Sequence, residues 1–150
     1  MELELRPMSE EQITSVIRLE QECHLSSRGE DGYLNLLQDE RWLLLVAQQS
    51  LSITGIFSGQ MVLDELQIDN IAVADDWRQK GIATRLLTNA LEIAAEKGMV
   101  TAILEVRESN IPARRLYERH GFIVSGRRKR YYSNPLDDAL LMSLNLDKHT

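Results

Sequence analysis

A short turn between a predicted strand and a predicted helix carries the most specific chemical pattern in this sequence. The apolar run 71–73 predicts the strand, and Arg78-x-x-Gly81-x-Ala83 leads into a long amphipathic segment. Gly81 and Ala83 let a ligand approach the backbone closely, and the free N–H groups of a helix's first turn attract phosphate. The turn has neither the Gly-x-x-x-x-Gly-Lys-Ser/Thr pattern of ATP-binding loops nor the three glycines of dinucleotide-binding turns. It therefore predicts a phosphate or pyrophosphate site of another kind.

Glu105 is a carboxylate inside a second predicted strand, residues 100–106. The period of two places Glu105 and Ile103 on one face of this strand and the other apolar residues on the opposite face. A carboxylate in a buried strand is unusual unless it is paired or functional. From its position alone, Glu105 is equally well interpreted as a general base or as the partner of Arg107 or another arginine in a salt bridge.

The helix predicted after this strand carries two further polar candidates. Asn110 stands where it can cap the helix, and Pro112 is tolerated in the first turn. Tyr117 lies one helical turn from Ala113, on the side that faces the sheet. Spacing alone favours a core tyrosine whose hydroxyl is hydrogen-bonded. A simple capping role explains Asn110 as well as a ligand contact does, and the two roles can coexist.

The elements that would position these residues follow from hydrophobic periodicity and turn signals. A first strand ends at Pro7, and the capping-box spacing of Ser9 and Gln12 opens the first helix. A polar stretch from 24 to 32 precedes a short helix around 33–37. Further strands are predicted over 42–48, 53–63, 65–73, 100–106, 122–126 and 139–144, further helices over 82–97 and from 110 to 121, and a basic, Pro-containing loop before the last strand. This order predicts an α/β (α+β) fold, a mixed central sheet with helices on both faces.

Several segments together resemble the GNAT superfamily of acyl-CoA-dependent N-acetyltransferases, and most of all the bacterial ribosomal-protein alanine N-acetyltransferase family. The resemblance is dense from about residue 62 to 144. The matching patterns are Asn70-Ile-Ala-Val73, Arg78-x-x-Gly81-x-Ala83, Leu104-Glu-Val-Arg107, Leu116-Tyr-Glu118 and Arg127-Arg-x-x-Tyr131-Tyr132.

The resemblance implies the GNAT fold and acetyl-CoA as co-substrate, with no metal. In this superfamily the strand before the phosphate turn splays from its neighbour, and the pantetheine arm adds like an extra strand. Asn110 would hold the pantetheine or the helix start. The implied cofactor-binding residues are Ile71, Ala72 and Val73 for the pantetheine, and Arg78, Gln79, Lys80, Gly81, Ile82, Ala83 and Thr84 for the pyrophosphate.

The resemblance also implies the catalytic roles. Acetyl transfer to an amine needs a base for the ammonium, stabilisation of the developing oxyanion and an acid for the departing thiolate. Glu105 falls on the family's catalytic glutamate, acting through water, and Tyr117 on its thiolate-protonating tyrosine. Tyr131 and Tyr132 match tyrosines that clamp the substrate backbone, although cross-strand packing would explain them as well.

The expected acceptor is the N-terminal α-amine of a protein, with the N-terminal alanine of a small-subunit ribosomal protein as the first candidate. Two alternatives stay open: a lysine side chain or small amine as acceptor, and a non-catalytic acyl-CoA-binding sensor, which would need neither Glu105 nor Tyr117. The segment His24–Asp31 departs from the family pattern in one wall of the acceptor site. The basic run 127–130 is interpreted as a solvated loop rather than an RNA contact.

Bulk properties narrow the class of protein. A chain of 150 residues predicts a single domain over 1–150. The net charge of −6 argues against a nucleic-acid partner and favours a cationic acceptor, although mild acidity is also common. Cys23 is the only cysteine, which excludes an intramolecular disulfide and fits a reducing compartment. We expect a cytoplasmic protein without a membrane partner, acting as a monomer or weak homodimer.

Overall fold

The computed structural model describes residues 2–26 and 28–147. Within these residues, seven strands and four helices follow one another in the order predicted from the sequence. Two 3₁₀ turns lie at Glu10–Gln12 and Asp75–Trp77. The strands are β1 (Leu3–Pro7), β2 (Trp42–Gln49), β3 (Ser52–Val62), β4 (Glu65–Val73), β5 (Thr101–Arg107), β6 (Ile123–Tyr132) and β7 (Asp137–Asn145), and the helices are α1 (Ile13–Glu22), α2 (Gly29–Leu37), α3 (Ile82–Glu96) and α4 (Ile111–Arg119).

All seven strands form one mixed sheet in the order β1-β2-β3-β4-β5-β7-β6. β4 and β5 run parallel, and every other neighbouring pair is antiparallel. A parallel pair needs a crossover connection, and α3 supplies it between β4 and β5. The chain therefore leaves β4 through the phosphate turn, runs along α3 and returns to the sheet as β5, in the same direction as β4.

Two apolar cores lie on opposite faces of this sheet, as the predicted fold class requires. α3 and α4 cover one face through buried residues such as Leu86, Ala90 and Leu116. α1 and α2 cover the other face through residues that include Val16 and Tyr33. Alternate residues of β2 feed the two cores, because successive side chains in a strand point to opposite faces.

The last two strands are longer than predicted, and the expected basic loop does not exist. β6 continues through the basic run to Tyr132, pairing Arg127 with Leu140 and Arg128 with Ala139, and β7 begins at Asp137. β6 is an edge strand with most of its residues exposed. Charged residues are usual on such a strand because they discourage edge-to-edge pairing. It consequently lacks the apolar alternation by which a strand is predicted.

The second helix also begins earlier than predicted. α2 starts at Gly29, inside the stretch expected to be an irregular polar segment. Glu30 and Asp31 lie in its first turn, where negative charge favours a helix N-terminus. Tyr33 is its one fully buried residue, so the helix has a weak apolar signature. No helix in the described part of the chain has the length and apolar character needed to cross a membrane.

Candidate active site

The parallel strands β4 and β5 pair only at their starts and then separate. Their register covers Glu65–Gln67 of β4 and ends at Ile103 of β5. Beyond that point β5 pairs with β7, while β4 continues beside β3, with Ile71 opposite Phe57 and Val73 opposite Gly55. Within residues 2–26 and 28–147, the backbone of 68–73 has no strand partner on its β5 side. The gap exposes strand-like hydrogen-bonding groups to an extended ligand.

The phosphate turn lies at the end of β4 and leads directly into α3. Gly81 is left-handed, with φ of 79°, and a Cβ there would meet no atom within 4 Å. The first intrahelical bond runs from Arg85 N to Gly81 O at 3.0 Å, which leaves the N–H groups of Ile82, Ala83 and Thr84 without an intrahelical acceptor. The turn thus combines open space with three backbone donors at the positive end of a helix dipole.

Arg78 braces this turn against the end of β4. Its Nε donates to the carbonyl oxygen of Val73 at 3.2 Å, and its guanidinium pairs with Asp75 at 3.2 Å. The thiol of Cys23, just past the end of α1, lies 3.5 Å from the same carbonyl oxygen. These contacts hold the strand end and the turn in one arrangement.

Glu105 lies on the predicted face of β5 but is more exposed than a buried strand implies. Its side chain is 35% exposed, whereas its neighbours Leu104 and Val106 are buried in the core on the other face. The expected salt bridge is present, with Arg128 at 3.5 Å. Arg107 turns away instead: it donates to the carbonyl oxygens of Pro135 at 3.0 Å and Ser133 at 3.3 Å.

Both candidate substrate tyrosines share a groove with Glu105. The groove has a volume of about 700 Å³ and runs across β4, β5 and β6 where the gap begins. The rings of Tyr131 and Tyr132 meet edge to face, with centroids 5.1 Å apart. Burial and the nearby Glu105 carboxylate raise the pKa of Tyr132. The groove is lined in part by Trp42, Gln60, Gln67, Asp69, Glu105, Arg128, Tyr131 and Tyr132.

Tyr117 lies on the opposite face of the sheet from Glu105. Its ring belongs to the core with Leu104 and Val106 and packs edge to face on Phe122 at 5.7 Å. Burial raises its pKa to about 12. The ring is a core residue as spacing predicts, but its hydroxyl has no hydrogen-bond partner within the described residues. The two catalytic candidates can meet at one ligand only through the gap between β4 and β5.

Asn110 caps α4 as the sequence predicts. Its Oδ1 accepts a hydrogen bond from the backbone N–H of Ala113 at 3.3 Å. This contact satisfies one of the donors that a helix start leaves free. The residue lies between the end of β5 and the start of α4.

Comparison with known proteins identifies the family. The model of the acetyltransferase (GNAT) family matches residues 13–122, well over half of the chain. The chain belongs to this family. A ribosomal protein bS18-alanine N-acetyltransferase of Escherichia coli (strain K12) is 32% identical over 134 residues, which cover 88% of this chain and 90% of that protein.

Solved structures agree with this assignment. The crystal structure of the ribosomal-protein-S18-alanine N-acetyltransferase from Escherichia coli matches with a TM-score of 0.89 and 28% identity, over 99% of this chain and 97% of that one. The PaiA N-acetyltransferase of Thermoplasma acidophilum, in complex with coenzyme A, shares the fold at a TM-score of 0.80 and 19% identity, over 97% and 99% of the two chains. The protein is an acetyl-CoA-dependent N-acetyltransferase with the GNAT fold.

The residues of the acetyltransferase fit its co-substrate. The unpaired edge of β4 offers backbone partners to an extended amide-containing chain such as pantetheine. The open turn at Gly81 offers N–H donors to a pyrophosphate. Among the described residues, no group of three or more His, Cys, Asp and Glu side chains could hold a metal ion.

One ion pair at the groove that contains Glu105, Tyr131 and Tyr132 was not predicted from the sequence. The guanidinium of Arg28, from the segment that departs from the family pattern, pairs with Asp69 of β4 and stacks on Trp42 at 4.8 Å. The hydroxyl of Ser58 donates to Asp69 at 3.2 Å. The available signal was a carboxylate amid the apolar residues of β4, the same signal that singled out Glu105.

The remaining polar candidates lie outside the groove. Arg127 pairs with Glu108 at 2.8 Å and with Asp138 at 2.9 Å, so this part of the basic run is neutralised within the protein. His120 joins α4 to α3 through a 3.1 Å contact with the hydroxyl of Thr88. These contacts tie elements together without reaching the gap.

Proposed function

We propose that this acetyltransferase modifies the N-terminal α-amine of a protein, and that its substrate is the N-terminal alanine of a small-subunit ribosomal protein in the cytoplasm. The observation that carries the proposal is the groove in which Glu105, Tyr131 and Tyr132 meet beside the gap between β4 and β5. Similarity to relatives named for alanine acetylation of ribosomal protein bS18 supports the choice of substrate.

The exposed position of Glu105 suits a base that works through water. An N-terminal ammonium has a pKa of about 7.7–8.0, against about 10.4 for lysine, so the α-amine loses its proton to a general base more easily than a lysine side chain does. Glu105 accepts the ammonium proton, and the backbone N–H near Val73 polarises the acyl carbonyl. The side chain has solvent access and lines the acceptor groove, as this role requires.

Tyr117 suits the opposite proton transfer. Acetyl-CoA supplies the acetyl group as a thioester, and in a ternary complex the amine forms the new C–N bond as the C–S bond breaks. The hydroxyl of Tyr117 then gives its proton to the sulfur. Its pKa of about 12 keeps the hydroxyl protonated at neutral pH, and within residues 2–26 and 28–147 no other side chain engages the hydroxyl.

The cofactor contacts are proposed on the same basis. Ile71, Ala72 and Val73 lie where β4 has no strand partner on its β5 side within the described residues, so they line the space proposed for the pantetheine, and the segment 78–84 presents its N–H groups to the pyrophosphate. Tyr131 and Tyr132 flank the acceptor peptide from β6. Asn110 keeps its capping contact and is proposed to hold the pantetheine as well.

Mass spectrometry of acetyl-CoA reactions with two matched peptides tests the proposal. The first peptide begins with a free Ala-Arg terminus, and the second has a blocked terminus and an internal lysine. We expect the acetyl group on the free α-amine only. Acetylation of the lysine instead would overturn the proposal in favour of a lysine acetyltransferase. Binding of acetyl-CoA without transfer to either peptide would overturn it in favour of a small-amine acceptor or an acyl-CoA sensor.

A further inference from the structure

Two ion pairs border the acceptor groove, and they are held very differently. Asp69 is contacted by Arg28 and by the hydroxyl of Ser58, and Arg28 also stacks on a tryptophan. Glu105, in contrast, meets Arg128 in a single 3.5 Å contact between side chains that are 35% and 55% exposed. Exposed pairs of this kind contribute little stability. The pair of Arg128 with Glu105 can therefore open at low cost in free energy. The pair of Asp69 with Arg28 is held more firmly, because each partner makes a second contact.

Charge favours an open Arg128 pair in the proposed acceptor complex. A cationic α-ammonium that approaches Glu105 is repelled by a guanidinium already at that carboxylate. Arg128 is nonetheless retained at the groove wall, because its guanidinium also lies over the ring of Tyr131 at 5.4 Å. It can leave Glu105 without leaving the groove.

We propose that Arg128 is a specificity-determining residue that binds the first carbonyl oxygen of the acceptor peptide while Glu105 receives the α-ammonium. The inference rests on the proposed function. An N-terminal residue carries its ammonium and its carbonyl oxygen on the same α-carbon, so it presents a positive and a partly negative group side by side. Glu105 and Arg128 present the complementary charges side by side in the lining of one groove.

This arrangement separates α-amines from side-chain amines. The ε-ammonium of lysine ends a four-carbon chain and has no carbonyl oxygen beside it. When the lysine ammonium approaches Glu105, Arg128 has no substrate oxygen to bind. Arg128 then either stays unpaired or competes with the ammonium for the Glu105 carboxylate. The pair therefore selects for the backbone of a peptide terminus rather than for an amine alone.

The chain supplies a matched control in the adjacent residue. Arg127 lies in the same strand, β6, but its guanidinium is bound by Glu108 and Asp138 and is not part of the groove lining. Arg127→Gln therefore removes an equal charge from β6 without touching the proposed contact. Arg128→Lys keeps a donor and a charge at the proposed site but loses the planar fork.

The experiment measures kcat/KM for the wild type, Arg128→Gln, Arg128→Lys and Arg127→Gln on two acceptors. One is an alanine-initiated peptide, and the other is the same peptide with its first CO–NH group replaced by CH₂–O. A charged hydrogen bond of about 1.5–3 kcal/mol corresponds to a loss of about 10- to 100-fold. We expect Arg128→Gln to lose that much on the amide peptide and little on the ether analogue. Arg128→Lys should recover part of the loss, and Arg127→Gln should match the wild type on both.

The ratio of the two acceptors removes any effect of Arg128 that does not depend on the carbonyl oxygen, since both acceptors use the same base. Circular dichroism and acetyl-CoA binding check that each variant is folded. Equal losses on the amide and ether acceptors, or no loss on either, would overturn the role of Arg128 while leaving α-amine acetylation in place. Lysine acetylation alone by the wild type would overturn the proposed function and the role of Arg128 together.

Discussion

At the scale of single residues, the two proposed proton-transfer groups occupy contrasting environments. Glu105 lies in a polar groove with solvent access, and Tyr117 lies in the apolar core on the other side of β5. Solvent access lets a water molecule lie between the Glu105 carboxylate and an acceptor, whereas burial disfavours the phenolate and keeps Tyr117 protonated. The environments therefore match a base on the acceptor side and an acid on the cofactor side.

Substitution of either residue should affect turnover rather than cofactor binding. We expect Glu105→Gln and Tyr117→Phe each to lower kcat by about 10²- to 10⁴-fold, the usual contribution of general acid–base catalysis. The Kd of acetyl-CoA, measured by calorimetry, should stay near that of the wild type because neither side chain belongs to the proposed cradle. A large rise in that Kd with kcat preserved would refute both roles.

Burial of Tyr117 also makes the free energy of unfolding depend on alkaline pH. Its pKa rises from 10.0 to about 12 on folding. The unfolded state therefore loses this proton first, and the stabilisation, complete below pH 10, is lost as the pH rises toward about 12. Urea unfolding should show a shallower alkaline decline for Tyr117→Phe than for the wild type. The exposed Tyr131→Phe serves as control and should decline as steeply as the wild type; identical curves for all three proteins would contradict the prediction.

At the scale of elements, the turn into α3 depends on one left-handed residue. Gly81 has φ of 79° and open space around it. Any other residue type pays a steric cost in this conformation. The space that a side chain would enter is the space proposed for the pyrophosphate.

Gly98, at the other end of α3, provides a matched comparison. It has φ of 88° and is equally open, so Gly81→Ala and Gly98→Ala should each lower the free energy of unfolding by about 1–2 kcal/mol. Only Gly81→Ala should also raise the KM for acetyl-CoA, because only that methyl group enters the proposed cradle. Urea unfolding and steady-state kinetics measure the two effects. An equal rise in KM for both variants would argue against a pyrophosphate at Gly81.

At the scale of the whole molecule, net charge should influence how the acceptor reaches the groove. The chain carries a net charge of −6, and the proposed substrate is a basic protein terminus. Opposite charges accelerate association at low salt, and screening removes the effect as the Debye length falls from about 30 Å at 0.01 M to about 3 Å at 1 M.

We therefore expect kcat/KM for an Ala-Arg-rich peptide to fall by about tenfold over that range of salt. A peptide with the same N-terminal alanine and glutamine in place of arginine should show a much smaller change. Both assays use saturating acetyl-CoA, which keeps the cofactor's own charge out of the comparison. Parallel declines for the two peptides would mean that long-range charge does not guide the acceptor.

The sequence by itself determined the features that depend on neighbouring residues. Apolar periodicity located β4 with its observed bounds and α3 to within a residue, because an element with one buried face repeats that face along the chain. The same periodicity put Glu105 on the correct face of β5, and local capping chemistry predicted the role of Asn110. Assignment to the family followed from motifs that are themselves local.

The tertiary structure alone decided which distant residues meet. The early end of β4–β5 pairing opens a gap in the sheet between the face of Glu105 and the face of Tyr117. The pairing of β6 with β7 brings Arg128 beside Glu105. The pairing of Arg28 with Asp69 joins residues 41 positions apart. Strand pairing and ion pairs of this kind depend on where the chain returns in space, and periodicity within one segment contains no information about that return.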